Sequence, residues 1–261
     1  MRPRTLPVVL LDDSYVVKTR HYSRPTYVGD PINTVKLFNE KGVDELVLLD
    51  IGAGSRGIDF PLLADIATEA FMPLAYGGGL RTVEDAQRIL TMGFEKVSFN
   101  TLLIDDPSVL TRVAESYGAQ AVVASIDVGR PRHGRWRRGT QRVQVLRTGR
   151  RPTGLDPLDA ARRAEQAGAG EILLTNADRE GDREGLDLEL IATVSAAVGI
   201  PVVAQGGAGA VGHLAPAIVA GASAVAAGTM FTHYGPHRAV LITYPSDDVL
   251  TEAYTGQEPH S

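Results

Sequence analysis

Asp127 is the residue best placed to do chemistry. It ends the run Ala121–Asp127, whose other members are Ala, Val, Ser and Ile. Such a run reads as a strand buried on both faces. A carboxylate at its tip faces the opening that the strand lines, where it can act as general acid or base; it could equally cap the next turn. Gly77-Gly78-Gly79 and Gly206-Gly207 each follow a strand-like run. Glycines there let backbone N–H groups approach an anion, although tight turns alone would ask for the same residues. Asn100-Thr101 and Gly228-Thr229 end the next run in each half. Taken together, Gly78, Gly79, Asn100 and Thr101 form one expected phosphate cradle, and Gly206, Gly207, Gly228 and Thr229 the other. A ligand with two phosphates fits that pair. Asp50 and Asn176 end two further runs, as ligand contacts or as partners of loop amides.

Four charged residues begin strand-like runs: Arg4, Glu45, Lys96 and Glu171. Alternating in sign, they can form a ring across the far end of the structure. On residue types alone that ring is a stability feature. No cysteine occurs, which excludes a disulfide and a thiol nucleophile and fits a cytoplasmic protein. The net charge of −5 argues against a nucleic-acid or membrane partner, despite the arginine-rich segment Arg130–Arg151. That segment reads as a solvated excursion. The apolar run after the N-terminus is too short for a leader or a membrane span, and acids follow it directly. The reading calls for no metal and no cofactor.

A duplication places these residues. Gly42–Ile51 (GVDELVLLDI) is echoed by Gly168–Ala177, Ala75–Gly79 by Ala204–Ala208, and Gly93–Thr101 by Gly221–Thr229. Three matched blocks in one order imply two copies of a half-structure. Each copy alternates short apolar runs with helix-like stretches, about four βα units per half. The expected fold is therefore α/β, a (β/α)8 TIM barrel built from two half-barrels. The chain of 261 residues, 44% hydrophobic, has a suitable length and core for it.

The expected strands are Leu6–Leu11, Glu45–Asp50, Met72–Tyr76, Lys96–Asn100, Ala121–Asp127, Glu171–Asn176, Pro201–Gln205 and Ala222–Gly228. Helices are expected at about Asp59–Ala70, Thr82–Met92, Asp106–Tyr117, Leu155–Ala167, Leu186–Val198 and Val211–Ala220. Another opens at Asp30-Pro31, with Asp30 as N-cap. Asp12–Gly29 reads as a long polar loop. The whole chain, 1–261, is expected to be one barrel domain with an excursion at 130–153, hairpin-like over Arg142–Arg147, and an atypical tail at 235–261. Pro236–Pro245 looks more like strand or irregular chain than a closing helix.

These residues together resemble the cyclase subunit of imidazole glycerol phosphate synthase, the HisF family. The resemblance runs from about Arg4 to Phe231. It rests on Val16–Lys18, Gly29–Pro31, Asp44–Ile51, Gly77–Gly79, Lys96–Thr101, Ser125–Asp127, Pro152–Asp156, Gly168–Thr175, Asp178–Gly181 and Gly206–Gly209. It implies a duplicated barrel with two phosphate sites, which Lys18 and Gly181 join. It also implies a class I glutaminase docked at the bottom of the barrel, ammonia passing along the axis, and Arg4, Glu45, Lys96 and Glu171 as the gate.

The family works with two catalytic aspartates, at the ends of the first and fifth strands. Asp127 matches the second. An ungapped match puts Leu10 at the first, and leucine transfers no proton. Asp12 could stand in only if the chain bends it back, since it lies about 6.6 Å further along the same face. Gln205 also replaces a small serine, and Glu180 an aspartate. The chain is similar to the HisF paralogues that help supply ammonia for amidation or amidine formation, beside a glutaminase and an ATP-dependent amidotransferase. Expected, then, is an ammonia-conducting barrel outside histidine synthesis that still takes a phosphorylated small molecule. The alternative is a true cyclase with Asp127 and Asp12 as its pair.

Overall fold

The computed structural model describes residues 2–130, 143–147, 150–235 and 239–256. In chain order the elements are β1 (Arg4–Asp12), β2 (Tyr15–Arg20), β3 (Ser23–Gly29), α1 (Pro31–Glu40), β4 (Leu46–Asp50), α2 (Ala53–Arg56), α3 (Phe60–Glu69), β5 (Leu74–Gly77), α4 (Val83–Thr91), β6 (Lys96–Phe99), α5 (Thr101–Asp105), α6 (Ser108–Tyr117), β7 (Val122–Gly129), β8 (Gln144–Arg147), β9 (Arg151–Pro152), α7 (Pro157–Gln166), β10 (Glu171–Asn176), α8 (Leu188–Ser195), β11 (Val202–Gln205), α9 (Leu214–Val219), β12 (Ala224–Ala227), α10 (Thr229–Thr232), β13 (His233–Tyr234), β14 (Ala239–Val240) and α11 (Asp247–Thr255). Among the described residues, β1, β4, β5, β6, β7, β10, β11 and β12 run parallel in that order. The β10–β7 and β1–β12 pairings close them into a (β/α)8 barrel.

Local chemistry explains the helix starts. Asp30 accepts from the Asn33 amide at 2.8 Å, and its counterpart in the second half, Asp156, accepts from the Leu158 amide at 2.9 Å. Proline opens both helices. Asp59 and Asp187 cap α3 and α8 in the same paired way. Thr82 and Asp85 form a reciprocal capping box at α4. Side-chain alternation along the strands makes two cores. Leu6, Val8, Val47, Ala75, Val123, Leu173, Val203, Ala224 and Ala226 fill the barrel, with Leu10 and Leu49 packed against them. The opposite faces meet the helices in a larger layer that includes Tyr76, Phe38, Ile89 and Ile172.

One expectation needs correction. Asp12–Gly29 is not an irregular loop: β1 turns through Asp13-Ser14 into β2, and β2 turns through His21-Tyr22 into β3. All four turn residues have φ between 47° and 64°. Left-handed pairs match the twist of a two-residue hairpin but usually carry Gly or Asn. Over 239–245 the tail is a short strand, β14, and irregular chain, as expected, and a closing helix, α11, follows at Asp247–Thr255. Leu250 is fully buried, and the Tyr254 hydroxyl meets Thr5 Oγ1 at 2.7 Å. The expected hairpin at Arg142–Arg147 is in part β8, which pairs antiparallel with the end of β7. Residues 131–142 and 148–149 of the excursion, Trp136 included, and 236–238 and 257–261 of the tail lie outside the described residues. Among the described residues, no helix is long and apolar enough to cross a membrane.

Candidate functional site

The mouth of the barrel is built around Asp127. Its strand, β7, turns Val123, Ser125 and Asp127 inward, and Thr175 on β10 pairs beside it in register. Asn100 Nδ2, at the tip of β6, donates to Asp127 Oδ2 at 3.2 Å and to the Ser125 carbonyl at 3.1 Å. From above, the Tyr22 hydroxyl donates to Asp127 Oδ1 at 2.9 Å. Burial pushes the Asp127 carboxyl up to about 6, against the downward pull of Tyr22, Thr175, Arg150 and Asn100. Burial and then the Asp127 charge drive the Tyr22 phenol well above its ordinary value. Tyr22 therefore stays protonated and acts as donor. An acid poised near 6 can hold or release a proton close to neutral pH.

The hairpin that carries Tyr22 is clamped to the loop after β10. Lys18 and Glu180, both buried, form an ion pair, and Lys18 Nζ also donates to the Thr19 carbonyl at 2.9 Å. Arg20 and His21 both reach Asp182, at 2.7 and 2.8 Å, and the His21 amide donates to the Glu180 carbonyl at 3.0 Å. Lys18 crosses the Gly228 backbone on its way to Glu180. It thereby joins the hairpin, the β12 tip and the β10 loop.

Leu10 faces the interior beside Leu49, its register partner on β4, and packs on the inner core. Asp12 stands one step higher, its carboxylate against Gly52 in the turn after β4. The inner wall that β1 and β4 present at the mouth is thus apolar.

The two glycine cradles are built alike. A side chain at Gly78, φ 133°, would strike the Asp50 carbonyl oxygen; one at Gly206, φ 97°, would strike the Asn176 carbonyl oxygen. Close backbone approach alone thus requires glycine at both places. Asp50 accepts from the Gly52 and Ala53 amides at 3.0 and 2.9 Å and pairs with Arg56 at 2.7 Å. Burial raises its carboxyl, against Arg56 and those amides. Asn176 accepts from the Asp178 amide at 2.9 Å and donates to Asp187 at 2.7 Å. Of the two readings open for this pair, the loop-amide role is the one these contacts make. The second-half cradle is a hollow lined by Gly206, Gly207, Gly228, Thr229, Glu180 and Gly181. Gln205 turns its Oε1 towards the Thr175 hydroxyl, which donates at 3.3 Å.

At the opposite end the four charges meet. Arg4 pairs with Glu45 and Glu171, and Lys96 pairs with Glu45 at 2.8 Å and Glu171 at 3.0 Å. Every member touches both neighbours of opposite sign, so the ring is closed. Both glutamates are buried.

Sequence reasoning missed Tyr22, Thr175 and Arg150. Thr175 was legible as an inward position next to Asp127. Arg150 donates to the Ala177 carbonyl at 2.7 Å and pairs with Asp178, from a segment whose local pattern says only that it is basic. Tyr22 had no local signal.

A family model described as "Histidine biosynthesis protein" matches residues 4–238. The chain belongs to that family. Its HisF-like members include close relatives of this chain. It is 45% identical over 253 residues to a Pseudomonas aeruginosa protein named as imidazole glycerol phosphate synthase subunit hisF2, covering 96% of this chain and 98% of that one. It is 40% identical over 250 residues to one from Leptospira interrogans named as subunit HisF of the same synthase, covering 94% and 96%. The subunit HisF of Streptomyces coelicolor matches at 40% over 237 residues, 90% of this chain and 92% of that one. The chain is therefore a HisF-like subunit of the imidazole glycerol phosphate synthase family.

Proposed function

We propose that this barrel receives ammonia from a class I glutaminase docked beneath the four-charge ring. It delivers that ammonia to the mouth for amidation or amidine formation outside histidine synthesis. The observation that carries the reading is the closed ring itself: Arg4, Glu45, Lys96 and Glu171 span the floor, where a small neutral nucleophile must pass. The inner core beyond it is wholly apolar, Leu6, Val8, Val47, Val123, Leu173 and Val203 with the smaller Ala75, Ala224 and Ala226. The floor is also where a partner would sit. Phe71, in the turn before β5, and Val219, at the end of α9, are 90% and 88% exposed.

Leu10 argues for a role other than ring closure. With Leu10 and Leu49 on one wall, Asp127 has no carboxylate facing it from β1 at that level. Asp127 and Lys18 are the groups that would meet a ligand at the mouth. The two cradles support a phosphorylated small molecule there, and an ATP-dependent amidotransferase is the partner that would use the ammonia. On this reading residues 1–261 act as one barrel domain in the cytoplasm, with 130–153 as an excursion.

Two measurements test it. Purified barrel given the ribulosyl precursor of imidazole glycerol phosphate and an ammonium salt should make no imidazole product. Turnover at an ordinary enzymatic rate, on the order of 1 s⁻¹, would overturn the reading and select a true cyclase working through Asp127 and Asp12. In the complex with glutaminase, Lys96→Met should uncouple glutamine hydrolysis from nitrogen transfer. Unchanged coupling would leave the barrel as a scaffold that conducts nothing.

A further inference from the structure

Between the β2–β3 hairpin and the start of α10 and β13 lies a cleft of about 670 Å³. Lys18, Arg20, His21 and Arg24 line it from the hairpin, and His233 and Thr229 from the barrel rim. Every ionisable side chain in that lining is basic. The nearest balancing acids, Glu180 and Asp182, stand outside the lining, where Lys18, Arg20 and His21 engage them. Arg24 has no carboxylate within salt-bridge distance among the described residues.

Basic groups that converge on a concave space, with hydroxyls and no lining acid, favour an anion there. The space is the size of a small-molecule site. It is too confined for a nucleic-acid duplex, and the net charge of −5 opposes one. Only Thr229 is shared with the hollow formed by Gly206, Gly207 and Gly228.

We propose that this cleft is a third anion site, for the phosphate-type group of a small ligand, adjoining the second-half glycine cradle, with which it shares Thr229 and against which Lys18 lies. Arg24 supplies its uncommitted charge. Arg20 and His21 serve it by exchanging Asp182 for the ligand, so occupancy competes with the hairpin clamp. The site goes beyond the ammonia reading and involves no residue of the ring.

Titration calorimetry of the full-length barrel alone, without glutaminase, tests it with inorganic pyrophosphate and with glycerol phosphate as probes. Saturable binding of at least one is expected. Tighter binding of pyrophosphate assigns the site to a diphosphate, and tighter binding of glycerol phosphate to a phosphate monoester. Arg24→Gln should weaken the tighter probe about tenfold, the size of a lost charged hydrogen bond, while Arg24→Lys retains most of the affinity. Arg24 is exposed on the hairpin, so both variants should fold. The proposal is overturned if neither probe saturates by about 5 mM, if Arg24→Gln binds within about twofold of the parent, or if Arg24→Lys loses as much as Arg24→Gln. None of these outcomes bears on ammonia transfer.

Discussion

The Tyr22 hydroxyl donates to Asp127 Oδ1 at 2.9 Å, across a gap of 105 positions in the chain. The contact seats a hairpin tip on the one inward carboxylate of β7. It also sets that carboxylate's ionisation. Burial raises the Asp127 carboxyl to about 6 from the ordinary 3.8, while the Tyr22 bond pulls it down. A raised carboxyl contributes stability that is fully present below the unfolded value near 3.8 and is lost as pH rises through about 6. Tyr22→Phe should therefore move the Asp127 titration upward, read by carboxyl-carbon NMR. Asp127→Asn should gain on the parent in urea melts between pH 4 and 7, by up to about 3 kcal/mol. A gap that does not widen with pH would show that the carboxylate is not strained by burial.

The ring predicts strong coupling. Lys96→Met leaves Glu45 and Glu171, 4% and 9% exposed at the side chain, with Arg4 alone between them. Removing one partner of a buried charge network costs about 3–5 kcal/mol. The double variant Lys96→Met with Glu45→Gln should lose less than the two single losses combined. Thermal melts of the four proteins check this; strict additivity would mean the ring does not act as a unit.

The cradle glycines should differ from surface ones. Gly206→Ala meets both the Asn176 backbone and a φ of 97°, whereas Gly57→Ala meets a φ of 92° with nothing nearby. At Gly57, with φ 92° and ψ 167°, a side chain costs about 1–3 kcal/mol from backbone strain alone. Gly57→Ala should lose about that much, and Gly206→Ala clearly more. Gly78→Ala, facing the Asp50 backbone, should match Gly206→Ala if the duplication holds energetically.

The tail should prove structural. Leu250, on α11, is fully buried, and Tyr254 on the same helix reaches Thr5 on β1. Leu250→Ala should cost about 2–5 kcal/mol by denaturant unfolding. A loss under about 1 kcal/mol would mean that α11 packs loosely on the barrel.

The barrel was legible because its cause is repetitive. Apolar runs buried on both faces, spaced by capped helices and duplicated, admit few other closed arrangements. Asp30 and Asp59 stand where that pattern puts them, and so do the four floor charges, since strand parity decides which side faces in. The ends of elements slipped by one to three residues, for want of sharp local signals.

What surrounds Asp127 was a different matter. The hairpin turns at Asp13-Ser14 and His21-Tyr22 carry no glycine or asparagine, so Asp13-Ser14 is only a weak turn signal and nothing local marks His21-Tyr22. The left-handed backbone at His21-Tyr22 is held by contacts made far away in sequence, chiefly Lys18 with Glu180 and His21 with Asp182. The sequence alone thus determined a duplicated barrel, its charged floor and an acid at its rim. Only the tertiary structure decided that a hairpin folds over that rim and seats Tyr22 on Asp127, because the energy that holds it there comes from side chains that meet only after the barrel closes.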